Sequence, residues 1–243
     1  MSAGGADTDR SVRAAEAASD RLMPFLLSIV AGLTDVTTFV LLGGVFSAHI
    51  TGNVVVIAAD LVTGAPIGLS SVLAVPCFIA IAAAVALVTE VRRRRADRWV
   101  QPLVLAQSAL LIAAAAVSIA TSASSDPHGP AGVVTALLAI AAMAVQNALL
   151  HVCYSRAPSV AVMTGNIVAA TVAAVRLLRR RDDEAAAAWR STWPLIVGFV
   201  GGCLLGALGC WLAADVGWVV AVAATVVVSA VAIRRARAAL DRG

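Results

Sequence analysis

The sequence Ser47-Ala48-His49-Ile50-Thr51-Gly52-Asn53-Val54-Val55-Val56 returns in the second half of the chain as Ala161-Val162-Met163-Thr164-Gly165-Asn166-Ile167-Val168. Each copy sets Thr-Gly-Asn inside an otherwise apolar run. Such a polar break is costly in lipid unless protein satisfies its backbone or it lines a cavity. Two breaks at matching places in two halves point to a transport-type site. They locate a candidate site and leave its ligand open.

The surrounding composition explains why lipid is the relevant solvent. Hydrophobic residues make up 60% of the chain and charged ones 13%, against about 25% charged in a soluble domain. Several runs approach or exceed the ~20 apolar residues needed to cross a bilayer. All 18 basic residues are arginine. They flank the apolar runs instead of covering one face of a soluble domain, which argues against a nucleic-acid partner. Cys77, Cys153, Cys203 and Cys210 lie in or at the end of apolar runs and form no CxxC pair, so they read as small buried hydrophobes.

In chain order, residues 1–21 are expected to form a disordered cytoplasmic tail and 22–233 the membrane domain, with a second tail at 234–243. The expected spans are about Leu22–Val45, Ser71–Val91, Val100–Thr121, Ala131–Val152, Trp193–Ala213 and Trp218–Ile233. The Thr-Gly-Asn segments fall between the first and second spans and between the fourth and fifth. The order span, Thr-Gly-Asn segment, span, span is thus stated twice, as repeats 22–121 and 131–233. With one gap, Gly32 to Asn53 aligns with Val145 to Asn166, and Asp35 falls close to Asn147. This is a weak internal repeat of the kind transporter folds carry.

The arginines decide whether the two segments cross. With eight spans, Arg92–Arg95, Arg98 and Arg156 would lie outside, six against twelve within. With both segments re-entrant and six spans, all 18 lie inside, which the positive-inside rule favours. Three crossings per repeat then make the halves inverted. The expected fold class is an all-α polytopic membrane protein of six transmembrane helices, in two inverted three-helix repeats. A half-helix starting just after each Thr-Gly-Asn, capped by Thr51 or Asn53 and by Thr164 or Asn166, would present free N–H groups and partial positive charge. The two are expected to converge near the midplane, where an anion, a polar solute or a water file would be favoured.

Asp35, midway along the first span, costs about 2.5–3.5 kcal/mol to insert. It reads either as a protonatable or cation-coordinating group or as a structural acid accepting N–H bonds. His49 could shuttle protons or be a hydrogen-bonded turn residue. Gln146 and Asn147 could line a path or join helices, and Gln107 reads as helix glue. Gly198, Gly202 and Gly206 form a small-xxx-small packing face. The arginine clusters are topology signals, with anionic lipid as a secondary partner. No HExxH, GxSxG, Walker or CxxCH motif is present, so no catalytic residue, metal ligand or cofactor is expected. The candidate substrate-binding set is Asp35, His49, Thr51, Gly52, Asn53, Gln146, Asn147, Thr164, Gly165 and Asn166.

Gly32-Leu33-Thr34-Asp35, Gly43-Gly44-Val45-Phe46 and His49-Ile50-Thr51-Gly52-Asn53 resemble the first half of the YoaK-like family of bacterial membrane proteins, which carries a domain of unknown function. Gln146-Asn147-Ala148 and Val162-Met163-Thr164-Gly165-Asn166 are similar to its second-half motif. The resemblance covers about Leu22 to Ile233. It implies six spans and an inner-membrane location, and no substrate. The leading expectation is a secondary transporter or channel for a small polar or anionic solute, with both termini cytoplasmic. The competing one is a non-transporting scaffold or regulator that recruits a cytosolic partner. The bilayer and a small solute are the expected partners, and a homo-oligomer is left open.

Overall fold

A computed structural model describes residues 3–92, 95–154, 158, 160, 162–179 and 182–240, with 3–21, 97, 239 and 240 as backbone alone. Arg93, Arg94, Arg156, Ala161, Arg180, Arg181 and Arg242, which entered the arginine count or the second motif, lie outside the described residues. Among the described residues every regular element is helical: α1 (Ala3–Leu41), α2 (Gly52–Thr63), α3 (Leu69–Val91), α4 (Asp97–Thr121), α5 (Pro130–Cys153), α6 (Met163–Arg179), α7 (Asp183–Ala213) and α8 (Trp218–Leu240). Short 3-10 turns follow α4 and α7.

Five apolar helical stretches are long enough to cross a membrane: Leu22–Leu41, Leu69–Val91, Arg98–Thr121, Pro130–Cys153 and Asp183–Ala238. The last runs 56 residues and holds both α7 and α8. Large apolar side chains such as Val62, Leu204, Trp211 and Leu212 face outward, while Thr34, Asp35, Gln107 and Gln146 are buried. Apolar outside and polar inside is the arrangement of a multi-pass membrane protein.

Two expected boundaries move. α1 begins at Ala3, so the stretch expected to be a disordered tail is helical backbone continuous with the first span. α7 begins at Asp183, ten residues before Trp193, because Asp182 accepts the N–H groups of Glu184 and Ala185 while Asp183 and Glu184 occupy the first turn. Acidic residues and an N-cap at a helix start favour the helix through its exposed N–H groups and dipole.

Side-chain contacts set the helix directions. Gly198, Gly202 and Gly206 of α7 meet Ser28, Ile29 and Leu33 of α1 in the same order, so the two helices run parallel. There is no room for a Cβ: one on Gly202 would collide with the Ile29 carbonyl, and one on Gly32 with the Phe199 carbonyl. Near-backbone approach of this kind lets apolar helices associate in lipid by dispersion, where no hydrophobic force draws them together. α3 and α5 also run parallel, since Gly68 and Gly129 flank the same loop and Cys77 Sγ reaches Leu137 O at 3.9 Å. α4 is antiparallel to both α5 and α8. Gln107 bonds Gln146 and Cys153 reaches Ala96, while Ser118 bonds Asp215 and Ser108 bonds Ser229.

One end of the bundle therefore gathers Gly43, Gly64 to Gly68, the 122–129 loop and the 214–217 turn, and has no arginine in these segments. The other end carries the arginine clusters. A Cβ on Gly43 would stand 3.1 Å from His128, and one on Gly68 also 3.1 Å. The first Thr-Gly-Asn segment thus leaves and rejoins the bundle at the arginine-free end. The second leaves α5 beside Ala96 and delivers α7 at the basic end, where α1 also enters its span. The packing partners exchange in step: α1 lies on α7 as α5 lies on α3, α4 on α5 as α8 on α1, and α2 on α3 as α6 on α7.

The α1–α7 contact yields a stability prediction. Gly202→Val should overpack it and lower stability by about 1–3 kcal/mol. Gly201→Ala, with nothing within 4 Å of its added Cβ, should stay within about 0.5 kcal/mol. Thermal unfolding of the two purified variants in one detergent checks this, and equal effects would contradict the packing described.

Candidate functional site

Gly43 and Gly44 both adopt positive φ, 72° and 83°. Glycine reaches that region without the steric cost of a Cβ. The paired turn sends the chain back down α1, so Ser47, Ala48 and His49 return to the level of Asp35. Asp35 then organises the loop. Its Oδ1 accepts the N–H groups of Ser47 and Ala48, each at 2.8 Å, and more weakly that of His49 at 3.4 Å. Its Oδ2 lies 2.8 Å from His49 Nδ1. With Oδ2 accepting, Nδ1 carries the hydrogen, a tautomer assigned from the contact.

Magnitudes explain why the acid is tolerated. Hydrogen bonds to a charged group are worth about 1.5–3 kcal/mol each. Three short ones outweigh the ~2.5–3.5 kcal/mol insertion cost. They also satisfy backbone groups that water cannot reach there. Asp35 is only 4% exposed. His49 is half-buried, with its ring edge-on to Phe199 of α7 at a centroid distance of 4.9 Å.

Asn53 completes the loop. Its Oδ1 accepts the Phe46 N–H at 2.9 Å, and its Nδ2 donates to Phe46 O at 2.7 Å and Ile50 O at 3.1 Å. The amide fixes both backbone groups of Phe46. It does not cap α2, and Thr51, exposed at the cap position, makes no side-chain cap bond either. The expected capping is corrected: the first N–H groups of α2, from Gly52, Asn53 and Val54, bond back to His49, Ile50 and Thr51 carbonyls. Those N–H groups are consumed by the turn. A free anion seat at this helix start, expected from the sequence, is not formed. Gly52 packs under the Phe46 ring, where a Cβ would come within 2.8 Å.

The second-half residues are arranged differently. Gln146 is fully buried and links three helices: Gln107 donates to its Oε1 at 2.7 Å, and its Nε2 donates to Leu27 O at 3.0 Å. It joins helices, as does Gln107. Asn147 donates to Met143 O in its own helix. Asn166 is buried at the start of α6, with Nδ2 3.8 Å from Met163 Sδ, while Thr164 and Gly165 are exposed. Gln146 shares the level of Leu27, eight residues below Asp35 on α1 (35 − 27), or ~12 Å at 1.5 Å per residue. α2 packs on α3 and α6 on α7.

Asp35, His49, Gly52 and Asn53 thus form one constellation, with Thr51 at its rim. Gln146 and Asn147 lie on α5, and Thr164, Gly165 and Asn166 lie in the first turn of α6. Sequence reasoning missed Ser47, Phe46 and Phe199, which complete the constellation. It also passed over Asp215, which is buried and holds Ser118 and Ser124 across the arginine-free end. The adjacent glycines Gly43 and Gly44 were the available signal for the chain reversal. Separations of 12 to 14 residues between an acid and loop amides leave no periodic trace.

Asn53→Ala would strand both Phe46 backbone groups, and the expected loss is about 1–3 kcal/mol. Thr51→Ala should change stability by less than about 0.5 kcal/mol. Chemical unfolding in mixed micelles separates these outcomes. Equal small losses would mean that Asn53 does not hold the loop.

No curated protein and no solved structure matches the chain. A family model does, over residues 23–233. That match takes in the apolar part of α1 from Met23, both Thr-Gly-Asn segments and α8 up to its first arginine. The chain belongs to the family described as protein of unknown function DUF1275.

Proposed function

We propose that this chain is a secondary transporter or channel for a small polar solute, built as two inverted repeats of three spans, with the basic end cytoplasmic. The exchange of helix partners between halves supports the repeat, and the opposite ends at which the two segments re-enter support the inversion. Alternating access commonly works by rocking one repeat against the other around broken helices. The YoaK-like resemblance and a bacterial inner membrane fit this layout.

The observation that carries the reading is the Asp35–His49 pair, a buried carboxylate against a half-buried imidazole, which together clasp the loop of residues 47–49. A carboxylate and an imidazole in contact can take up and pass on a proton. Intramembrane ionisable groups mark ion or proton pathways. Asp35 is the proposed proton-coupling group. The solute would meet the loop at His49 and Thr51 from one side and Thr164 and Gly165 from the other. Asn147, close to the place of Asp35 in the second half, cannot ionise, so coupling is assigned to the first half alone.

Proteoliposomes loaded with a pH-sensitive dye test this, with a panel of sugars, amino acids and carboxylates added outside. At least one solute should move protons with it, and Asp35→Asn should reduce that coupled flux by tenfold or more while the protein remains folded. Absence of flux across the panel would count against transport. In a cysteine-free background, single cysteines at Gly64 and Asp126 should label from outside the cell and one at Arg95 should not. Labelling of Arg95 and Asp126 from the same side would overturn the inverted topology.

A further inference from the structure

The geometry points to a seat for one anionic glycerophospholipid at the elbow between α6 and α7, with its phosphate held by Arg176 and Arg179. The two arginines are three residues apart in the last turn of α6, which places them on one helix face. Among the described residues neither guanidinium has an ion pair or hydrogen-bond partner. Both line a cleft of about 550 Å³ together with Val175 and Asp182. Among the described residues Asp182 is the one acid in that lining, and its Oδ1 is committed to the N–H groups of Glu184 and Ala185 at the start of α7. Two guanidiniums facing one cleft suit a phosphate, which accepts charge-assisted hydrogen bonds from both.

A second feature selects lipid over free phosphate. Val168, Val172, Val175 and Arg179 follow one another at spacings of four, three and four, so they form a single stripe along α6. The three valines are about half exposed, at 58%, 47% and 48%. From Val168 to Arg179 the stripe covers ~17 Å, close to the ~15 Å of one leaflet's hydrocarbon. An acyl chain can lie on the valines while its headgroup sits between the arginines. The C-terminal end of α6 gains too, since cations there offset the helix dipole and the phosphate neutralises their excess charge. In α2, the counterpart of α6, Val62 and Thr63 end the helix and no basic residue follows before Arg92, so the seat exists on the basic side alone.

The full-length protein, purified in a neutral detergent, is titrated with phosphatidylglycerol or phosphatidylcholine and read by native mass spectrometry. Both arginines are exposed, so R176Q/R179Q is expected to elute and unfold like the wild type. Wild type should retain phosphatidylglycerol in preference to phosphatidylcholine. R176Q/R179Q should weaken that retention by about tenfold or more. R92Q/R95Q, with the same loss of charge in the α3–α4 loop, should change it less than about twofold. Millimolar inorganic phosphate should leave the lipid bound. Wild-type retention by R176Q/R179Q, or an equal loss in R92Q/R95Q, would overturn the seat. Displacement by inorganic phosphate would reassign it to a soluble anion.

Discussion

The Asp35 carboxylate, enclosed by the amides of residues 47–49 and by His49, is the contact on which the first half depends. A chain that turns back inside a bilayer exposes N–H groups with no water to meet them. Helices and closed barrels avoid this by pairing every group internally, and a re-entrant loop must find another acceptor. Here one ionisable oxygen takes several amides at once, and the second holds the imidazole. The acid and the loop solve each other's problem: each alone would be expensive in lipid. Asn53 does the same for Phe46 from the opposite direction along the chain.

That arrangement has a consequence for the two halves. They share an order of elements and a set of packing partners, but not a chemistry. The first half carries an acid–imidazole pair. The second has neutral amides, Gln146 and Asn147, one of which is spent on tying α1, α4 and α5 together. The glycine-lined helix contact also belongs to one side: α7 presents Gly198, Gly202 and Gly206 to α1, whereas α3 reaches α5 through Cys77 at Leu137. The two halves of the chain thus differ in both charge and packing.

Much of the fold was legible from runs of apolar residues. Spans at Leu69–Val91, Asp97–Thr121 and Pro130–Cys153 fall within a few residues of their expected limits, because length and hydropathy are strong signals in lipid. The Arg distribution pointed to segments that fold back, and around the first of them Gly43 and Gly68 both approach His128. The helical start of α7 was misjudged because Asp182, Asp183 and Glu184 read as loop charges, although together they make a helix N-terminus. At the site, the residue types were legible and their partners were not. Thr51 looked like a cap and is a rim residue. Asn53 looked like a ligand-facing amide and serves the Phe46 backbone. Which backbone group an amide serves depends on where a glycine turn sends the chain, and no spacing rule carries that.

Hydrogen–deuterium exchange at the amides of Ser47 and Ala48, with the full-length protein in lipid nanodiscs, tests the central claim most directly. The account predicts strong protection in the wild type and a large loss of protection in Asp35→Ala, with the amides of α5 unchanged. Fast exchange at Ser47 and Ala48 in the wild type, or equal protection after Asp35→Ala, would contradict it.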